Sequence, residues 1–378
     1  MSPPREPDTL TAQGLARVAQ GLATVAQRLQ KKTLALPRGR PFNDIGDIDM
    51  PFTNRPTALP CAVVLACATL FGAGPALAQA QAWPSKPIRF IVPFSPGGAN
   101  DLLARAAAEG AGRVLGQPVV IENRPGAGGS LGADVVAKAT PDGYTYLISA
   151  AGVISNSMIK KSLPFKDEDL VPVVMIGLAP SVVVVPKSAP YNNLRDFVEA
   201  SKKGPGFNFA TAGTGSTPHF VAEMLNVKYG AKLQPIPYKS GSESTTAVLG
   251  GQVEGTSEAS IIALPHIRND GKFKALATTW TQRISAYPQL STAGEQGFPD
   301  IQIAHWAGLH APKGTPTEIM DKLAAAVDKA MHEQATSEKL KAVGIEPVGG
   351  TRAEFDKFVD AERRRLSEVV KAAHMQEK

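Results

Sequence analysis

The sequence predicts an α/β protein of two similar lobes that form a hinged clamp. From residue 88 onwards, apolar strands alternate with helical segments across short connections rich in glycine and proline. This rhythm is typical of a parallel sheet with helices on both faces. It stops after Pro186 and begins again at Leu194, which indicates a second unit of the same type. A chain of 378 residues with 43% hydrophobic residues is long and apolar enough for two domains.

The first unit is predicted from five segments and two apolar runs. Its strands are 88–94, 119–123 and 144–150, and its helices are 101–115 and 130–139. The apolar runs 171–176 and 181–186 follow, separated by Gly177 and Pro180.

The second unit repeats the alternation, and the chain then changes character. Helices are expected at 194–202, 218–229, 242–249 and 263–270, and strands at 207–211, 233–237, 253–257 and 273–278. After Tyr287 come an extended piece, 305–311, and two helices, 316–332 and 352–373.

The two final helices need a sheet to cover, so the tail is expected to return to the first unit. Residues 84–180 and 306–378 would then form lobe 1, and residues 181–305 would form lobe 2. The chain crosses between the lobes near 182–185 and near 306–309. Two lobes joined by paired extended strands can close by a hinge.

Residues 50–78 read as a secretory signal peptide. Arg55 precedes an apolar run from Ala58 to Phe71, which is too short for a transmembrane helix. A small-x-small cleavage site ends at Ala78. The exported protein is therefore expected in the periplasm, cut near Ala78.

Residues 1–49 do not fit in front of a signal peptide. They include a basic amphipathic stretch from Leu10 to Leu36. We interpret Met50 as the true start and residues 1–49 as a non-native or disordered extension, with a basic targeting arm as the alternative. N-terminal sequencing of the exported protein tests this, because a mature end upstream of Met50 contradicts it.

Composition limits the chemistry of the exported chain. Both cysteines, Cys61 and Cys67, lie in the predicted signal peptide, so no disulfide, thiol catalysis or cysteine-bound metal is expected. The net charge of +6 falls to +3 without residues 1–78, and aromatic residues are 6% of the chain. These values exclude the basic, base-stacking surface of a nucleic-acid-binding protein. The six histidines show no metal-binding spacing, so we expect no metal and no cofactor.

The loop from Ser95 to Asp101 is the first candidate binding element. It links a strand to a helix through Pro96, Gly97 and Gly98, and carries no Lys, Arg, Cys or His. The backbone N–H groups of a helix N-terminus favour an anion. The loop is therefore suited to hold an anion with amides, with Asn100 or Asp101 as the helix cap.

The loop from Thr211 to His219 is its counterpart in the second unit. It follows a strand and opens a helix, with Thr217 as the expected cap and Pro218 at the first helical position. Gly213 and Gly215 allow the backbone to approach a ligand. Two facing helix N-termini would hold one carboxylate between them.

Two other functions were weighed against binding. The glycine-rich segment 122–130 is not a nucleotide fingerprint, since Leu131 stands where the third glycine belongs, and a structural turn is favoured. Ser216 and His219 are three residues apart, but no Gly-x-Ser-x-Gly motif surrounds them, so a hydrolase is the least favoured function.

Four motifs in order resemble those of the Bug family, the TctC-like extracytoplasmic solute receptors of tripartite tricarboxylate transporters. They are Pro93 to Gly98 with Asp101, Glu122 to Gly129, Thr211 to Ser216 with His219, and Trp306 to Gly308 followed by Ala311 to Pro316. The resemblance covers residues 84–375. It implies a type II periplasmic-binding-protein fold that closes like a Venus flytrap and performs no chemistry.

The resemblance also implies that the two loops hold one ligand carboxylate, partly through ordered water. The residues it points to are Ser95, Gly98, Ala99, Asn100 and Asp101, and Thr211, Thr214, Gly215, Ser216 and His219. The far end of the ligand would meet the segment from Ser149 to Asn156 together with Tyr238, Lys239 and Glu258. Family members often have Asp at position 258, which leaves the ligand open. Lys239 or Arg105 would suit a second carboxylate, and Glu258 or Asp101 an amine.

The leading hypothesis is a monomeric receptor that captures a small organic carboxylate for the permease subunits of a tripartite tricarboxylate transporter. The alternative is a sensor that presents the same bound ligand to a membrane kinase. No contact with nucleic acid is expected in either case.

Overall fold

The computed structural model describes residues 83–269 and 271–377. The predicted signal peptide and residues 1–49 lie outside this part of the chain. The described strands are β1 (Ile88–Val92), β2 (Val119–Asn123), β3 (Thr145–Ser149), β4 (Leu170–Pro186), β5 (Phe207–Thr211), β6 (Leu233–Pro237), β7 (Gly255–Ala259), β8 (Phe273–Thr278), β9 (Ala304–Pro312) and β10 (Glu346–Gly349). The described helices are α1 (Ala99–Leu115), α2 (Ser130–Ala137), α3 (Ala151–Ile159), α4 (Leu194–Ser201), α5 (Thr217–Tyr229), α6 (Gly241–Leu249), α7 (Ser260–Arg268), α8 (Thr317–His332), α9 (Gln334–Ala342) and α10 (Arg352–Ala372).

The strands form one mixed sheet in the order β2-β1-β3-β9-β4-β7-β5-β6, with β8 and β10 also paired to β4. β1 runs parallel to β2 and β3, and β5 runs parallel to β6 and β7. Each parallel group is a βαβ arrangement of the predicted kind. The long strands β4 and β9 run antiparallel to each other and to their other neighbours.

β4 changes partners in its middle. Its residues from Leu170 to Pro180 pair with β9, whereas those from Ser181 to Val184 pair with β7. This change coincides with the predicted boundary at 180/181. The division into two lobes stays a prediction, since the pairing joins both strand groups into one continuous sheet.

Several elements differ from those predicted. The runs 171–176 and 181–186 form a single strand, because Gly177 and Pro180 lie within the extended pairing of β4 with β9. Helices α3 and α9 and strand β10 were not predicted at all. Helix α3 is almost wholly buried, so it lacks the polar face that identifies a surface helix.

Two helix starts were predicted wrongly. The cap of α1 is Gly98, which precedes Asn100 and Asp101, and the cap of α5 is Ser216, which precedes Thr217. In both cases the polar residues enter the first turn of the helix. Neither cap residue accepts a hydrogen bond from its helix through a side chain.

Gly308 is one of several glycines in the core at which an added Cβ would collide with a neighbouring element. Phe355 of α10 lies against Gly308 of β9, where a Cβ would stand 2.6 and 2.9 Å from two ring carbons. The ring is fixed by edge-on contacts with Trp306 and His310. The indole N–H of Trp306 also donates to the buried Glu362 carboxylate at 3.3 Å. Helix α10 is thereby anchored to the crossing strand β9.

No described helix combines the length and the apolar character needed to cross a bilayer.

Candidate functional site

A cleft forms where the N-terminal ends of several helices meet. Its lining comes from both strand groups, at the ends of β1, β3, β5, β6 and β7 and on α7 and β9. The lining residues are Phe94, Ser95, Gly98, Ala99, Asn100, Ala150, Ala151, Gly152, Ala212, Ser216, Thr217, Pro218, Lys239, Ser240, Gly241, Glu258, Ile262 and His305. The cavity has a volume of about 90 Å³.

Three helices have N-termini at this cleft that lack a side-chain cap. The cap residues are Gly98 of α1, Ala150 of α3 and Ser216 of α5, and none of them makes a side-chain capping hydrogen bond. The first N–H groups of a helix have no partner within the helix. Each N-terminus also carries a partial positive charge of about half an elementary charge. The three ends together therefore provide a site for an anion.

Helix α6 differs from these three. Its cap, Ser240, accepts a hydrogen bond from the backbone N–H of Glu243. Its N-terminal donors are thus partly satisfied by the chain itself. Side chains also cap α4 and α10, whereas α2, α7, α8 and α9 lack such a cap. The three cleft helices are therefore distinguished by their convergence on one cavity, and not by the lack of a cap alone.

The side chain of Asp101 holds the first loop in place through hydrogen bonds. This carboxylate is 1% exposed and accepts hydrogen bonds from the backbone N–H of Gly97 at 3.0 Å, from Arg105 at 2.9 Å and from Asn123 at 2.9 Å. Burial alone would raise the pKa of Asp101, but the hydrogen bonds from Arg105, Gly97 and Asn123 outweigh it and lower the pKa. Asp101 therefore stabilises the conformation of the loop and is not part of the cleft lining.

The substitution Asp101→Asn is expected to destabilise the protein by about 2 kcal/mol at pH 7, because charge-assisted hydrogen bonds are lost. The folded-state pKa lies below the unfolded one, so this stability is present above the unfolded pKa and disappears as the pH falls through the folded pKa. Urea unfolding at pH 7 and pH 3 measures the difference. Equal stability of the two proteins at pH 7 would contradict this role.

The second loop is held by short local contacts. Gly213 and Gly215 have φ of 99° and 78°, conformations that favour glycine. The Ser216 hydroxyl donates to the carbonyl of Gly213 at 2.6 Å, and the N–H of Gly215 donates to Nδ1 of His219 at 3.3 Å. The carbonyl of Gly215 accepts from Ser155 of α3 at 3.4 Å. The loop thus rests against a helix of the opposite strand group.

Glu258, which is buried, and His305, which is half-buried, are two polar residues of the lining. Burial raises the pKa of Glu258 to about 8, against a lowering hydrogen bond from the backbone of Ala259. Burial lowers the pKa of His305 to about 4, and Nε2 of this ring lies 3.4 Å from the Ser181 hydroxyl. Both groups are therefore predominantly uncharged at neutral pH.

Seven of the residues predicted to bind ligand line the cleft together. They are Ser95, Gly98, Ala99, Asn100, Ser216, Lys239 and Glu258. Asn100 has a second contact, since its amide donates to the carbonyl of Trp306 at 2.7 Å. The prediction that these residues contact a ligand stays a prediction.

The other eight predicted residues lie outside the cleft lining. They are Asp101, Ser149, Asn156, Thr211, Thr214, Gly215, His219 and Tyr238. Ser149 is buried with its hydroxyl 2.6 Å from Nδ1 of His310, and the amide of Asn156 donates to the carbonyl of Gly128 at 3.0 Å.

Three of these eight line a different cavity. Thr211, Thr214 and His219 face a space of about 270 Å³ with Glu223 and His374. Tyr238 packs against the apolar cluster in that half of the sheet. The Thr211 hydroxyl donates to the carbonyl of Ile236 at 3.4 Å, and Nδ1 of His219 accepts from the N–H of Gly215 at 3.3 Å, so these two side chains help to hold the loop in place.

Segment 122–130 forms the structural turn that its sequence favours. The carbonyl of Gly128 accepts from α3, and the carbonyl of Ala127 accepts from Lys160 and from the Ser130 hydroxyl. The turn therefore supports α3, whose N-terminus reaches the cleft.

Several lining residues were not singled out in the sequence. Ser240 has a signal, since Ser and Glu three residues apart before an apolar run indicate a helix start. Ile262 has none, because it reaches the cleft only through the folded arrangement of α7. His305 flanks the predicted crossing at 306–309, so its sequence position is compatible with a structural role or with a place near the cleft, and it lines the cleft. Among the described residues no group of three His, Cys, Asp or Glu side chains is placed to hold a metal ion.

An α/β fold with one mixed β-sheet and a cleft at converging helix N-termini is typical of a solute-binding protein of the periplasmic-binding type. The chain belongs to the TctC family, described as the tripartite tricarboxylate transporter family receptor, whose model matches residues 103–375. This confirms the predicted family and fold class. The proteins of this family are periplasmic solute-binding receptors and not enzymes.

Relatives support the assignment over most of the chain. BugT of Bordetella pertussis is 36% identical over 297 residues, which are 78% of this chain and 91% of BugT. The solved structure of R. palustris Rpa4515 with adipate is 31% identical, with a TM-score of 0.73, and covers 77% of this chain and 98% of its own. MatC from Rhodopseudomonas palustris with bound malate is 30% identical, with a TM-score of 0.71, and covers 76% of this chain and 100% of its own.

Proposed function

We propose that this protein captures a small organic carboxylate in the cleft and delivers it to the membrane permease of a tripartite tricarboxylate transporter. The observation that carries the proposal is the convergence of the uncapped N-termini of α1, α3 and α5 on one cavity. Amide donors hold a carboxylate through charge-assisted hydrogen bonds without a fixed counter-ion.

The two loops would contact the ligand from the two strand groups. Ser95 to Asn100 belongs to the first strand group, and Ala212 to Ser216 belongs to the second. A ligand held by both loops favours the closed arrangement, because its contacts to the second loop exist only after closure. Closure of the lobes is therefore the signal that a permease would recognise.

The cellular setting follows from the family. Solute receptors of this kind are periplasmic, and the predicted signal peptide at residues 50–78 would bring this chain there. The adipate and malate in the two solved relatives make such dicarboxylates the first ligands to test.

Isothermal titration calorimetry with the purified protein tests the binding step. Adipate and malate are expected to bind, and their diamides, which have the same shape without the charge, are expected not to bind. A thermal shift with the same panel gives an independent measurement. The absence of measurable binding for every acid of a broad panel would contradict an anion site, and so would equal binding of the diamides.

Delivery needs a separate experiment. The protein loaded with its acid is expected to retain permease subunits from membranes in a pull-down, and the unloaded protein is expected to retain fewer. Retention of a membrane kinase instead would favour the sensor and contradict the transport step.

A further inference from the structure

The carboxyl group of Glu258 is a buried polar group with an unused hydrogen-bonding position. The residue is 1% exposed and lines the cleft, and its Oε1 has no hydrogen-bond partner among residues 83–269 and 271–377. Buried polar atoms in native proteins are almost always paired. An unpaired oxygen at a binding cleft therefore points to a partner supplied by the ligand.

The space around this carboxyl is kept open by a glycine. A Cβ on Gly241, the first residue of α6, would stand 2.6 Å from Oε2 of Glu258. Any other residue at 241 would displace the carboxyl group. The chain thus places a carboxyl group inside the cleft and leaves room for it, without giving it a cation.

Only two other titratable side chains line the described cleft, Lys239 and His305. Lys239 is exposed at its edge, and His305 is uncharged above its pKa of about 4. Glu243, on the first turn of α6, is exposed, accepts from the backbone N–H of Lys239, and is not among the lining residues. Within residues 83–269 and 271–377, no positive side chain is hydrogen-bonded to Glu258.

The charge of the cleft decides which ligand group meets Glu258. Three helix N-termini and Lys239 make the cavity positive, which attracts anions and opposes an ammonium group. A second anionic group can approach Glu258 only when one proton is shared, since two adjacent carboxylates cannot both ionise. The burial of Glu258 already favours its neutral form, with a pKa of about 8.

We propose that protonated Glu258 donates a hydrogen bond to a second carboxylate of the ligand, which makes this protein a receptor for dicarboxylates. This rests on the proposed capture of a carboxylate by the helix N-termini. The unpaired Oε1, the space at Gly241 and the positive cleft carry it. The proton stays on the carboxyl pair throughout binding, and no bond other than hydrogen bonds forms or breaks.

Dicarboxylate binding is expected to weaken as the pH rises through the pKa of Glu258. The bound acid raises that pKa further, so tight binding is present below about 8 and is lost above it. The protonated fraction falls from about nine tenths at pH 7 to about one tenth at pH 9, so the Kd for adipate or malate is expected to rise about tenfold.

The variant Glu258→Gln is the matched control, because its amide keeps the size of the side chain and an N–H donor but does not titrate. Its Kd at pH 7 is expected to lie within about threefold of wild type, and not to change with pH. Calorimetry at pH 7 and pH 9 measures both proteins with adipate and malate. Thermal unfolding at both pH values shows whether each protein stays folded.

Several results would overturn the inference. One is a wild-type Kd that stays constant between pH 7 and pH 9. Another is tighter binding of aspartate than of malate together with its loss in Glu258→Gln, since that would show an ionised Glu258 bound to an amine. Failure of every acid to bind at any pH would instead overturn the proposed function itself.

Discussion

The substitution Gly98→Asp is expected to abolish carboxylate binding while the protein stays folded. Gly98 caps α1 with φ of −75° and ψ of 166°, a conformation open to every residue. A Cβ there meets nothing closer than the carbonyl of Ser95 at 3.6 Å. The new carboxylate would accept from the N–H groups of the first turn, as a cap does. The position that the ligand carboxylate needs would thus be occupied by the chain.

The expected size of the effect comes from electrostatics. Two unit charges 4 Å apart repel by about 4 kcal/mol at an effective dielectric constant of 20, so the affinity is expected to fall by at least about a hundredfold. Calorimetry with adipate and malate measures this loss. Urea unfolding is expected to show a free energy of unfolding within about 1 kcal/mol of wild type.

Two further variants separate charge from shape at the same position. Gly98→Ala adds a methyl group and leaves the N–H groups free, so its affinity is expected to stay close to wild type. Gly98→Asn adds a neutral cap that competes for the N–H groups, so its affinity is expected to lie between those of the Ala and Asp variants. Wild-type affinity in the Asp variant would show that the N-terminus of α1 does not hold the ligand.

The sequence identifies the two candidate loops because each has a local signature. A strand that ends in glycines and continues at once as a helix is visible at 95–101 and at 211–219, and both loops reach the cleft. The cleft residues on α7 and β9 carry no such signature. Ile262 and His305 lie far along the chain from the first loop, and only the pairing of β9 with β3 and β4 brings His305 to the site.

The sequence is less informative about the direction in which a side chain points. Asp101 and His219 stand in the right loops, but each turns towards its own loop backbone and accepts an N–H there. The cap positions show the same limit. Asn100 is a better cap by residue type than Gly98, yet the carboxylate of Asp101 fixes the N–H of Gly97 and the helix begins earlier. Such choices depend on buried partners, which no local pattern shows.

The largest expected effect on stability is that of Gly308→Ala. The added Cβ would lie within 3 Å of ring atoms of Phe355, and this ring is 1% exposed. It cannot move aside, because Trp306 and His310 contact its edges and Phe358 lies 6.3 Å from it, centroid to centroid. Overpacking in a fixed core is expected to lower the free energy of unfolding by about 3 kcal/mol.

A double-mutant cycle with Phe355→Leu separates this clash from other consequences of the substitution at Gly308. Leucine removes the ring atoms that the new methyl group meets, so the double variant is expected to be more stable than the sum of the single effects by about 1–2 kcal/mol. Urea unfolding of the four proteins measures this coupling, with Gly98→Ala as a glycine substitution that has room for its methyl group. Additive effects would contradict the clash, and the loss would then arise from the strand itself, where Gly308 pairs with Ser149 and Met175.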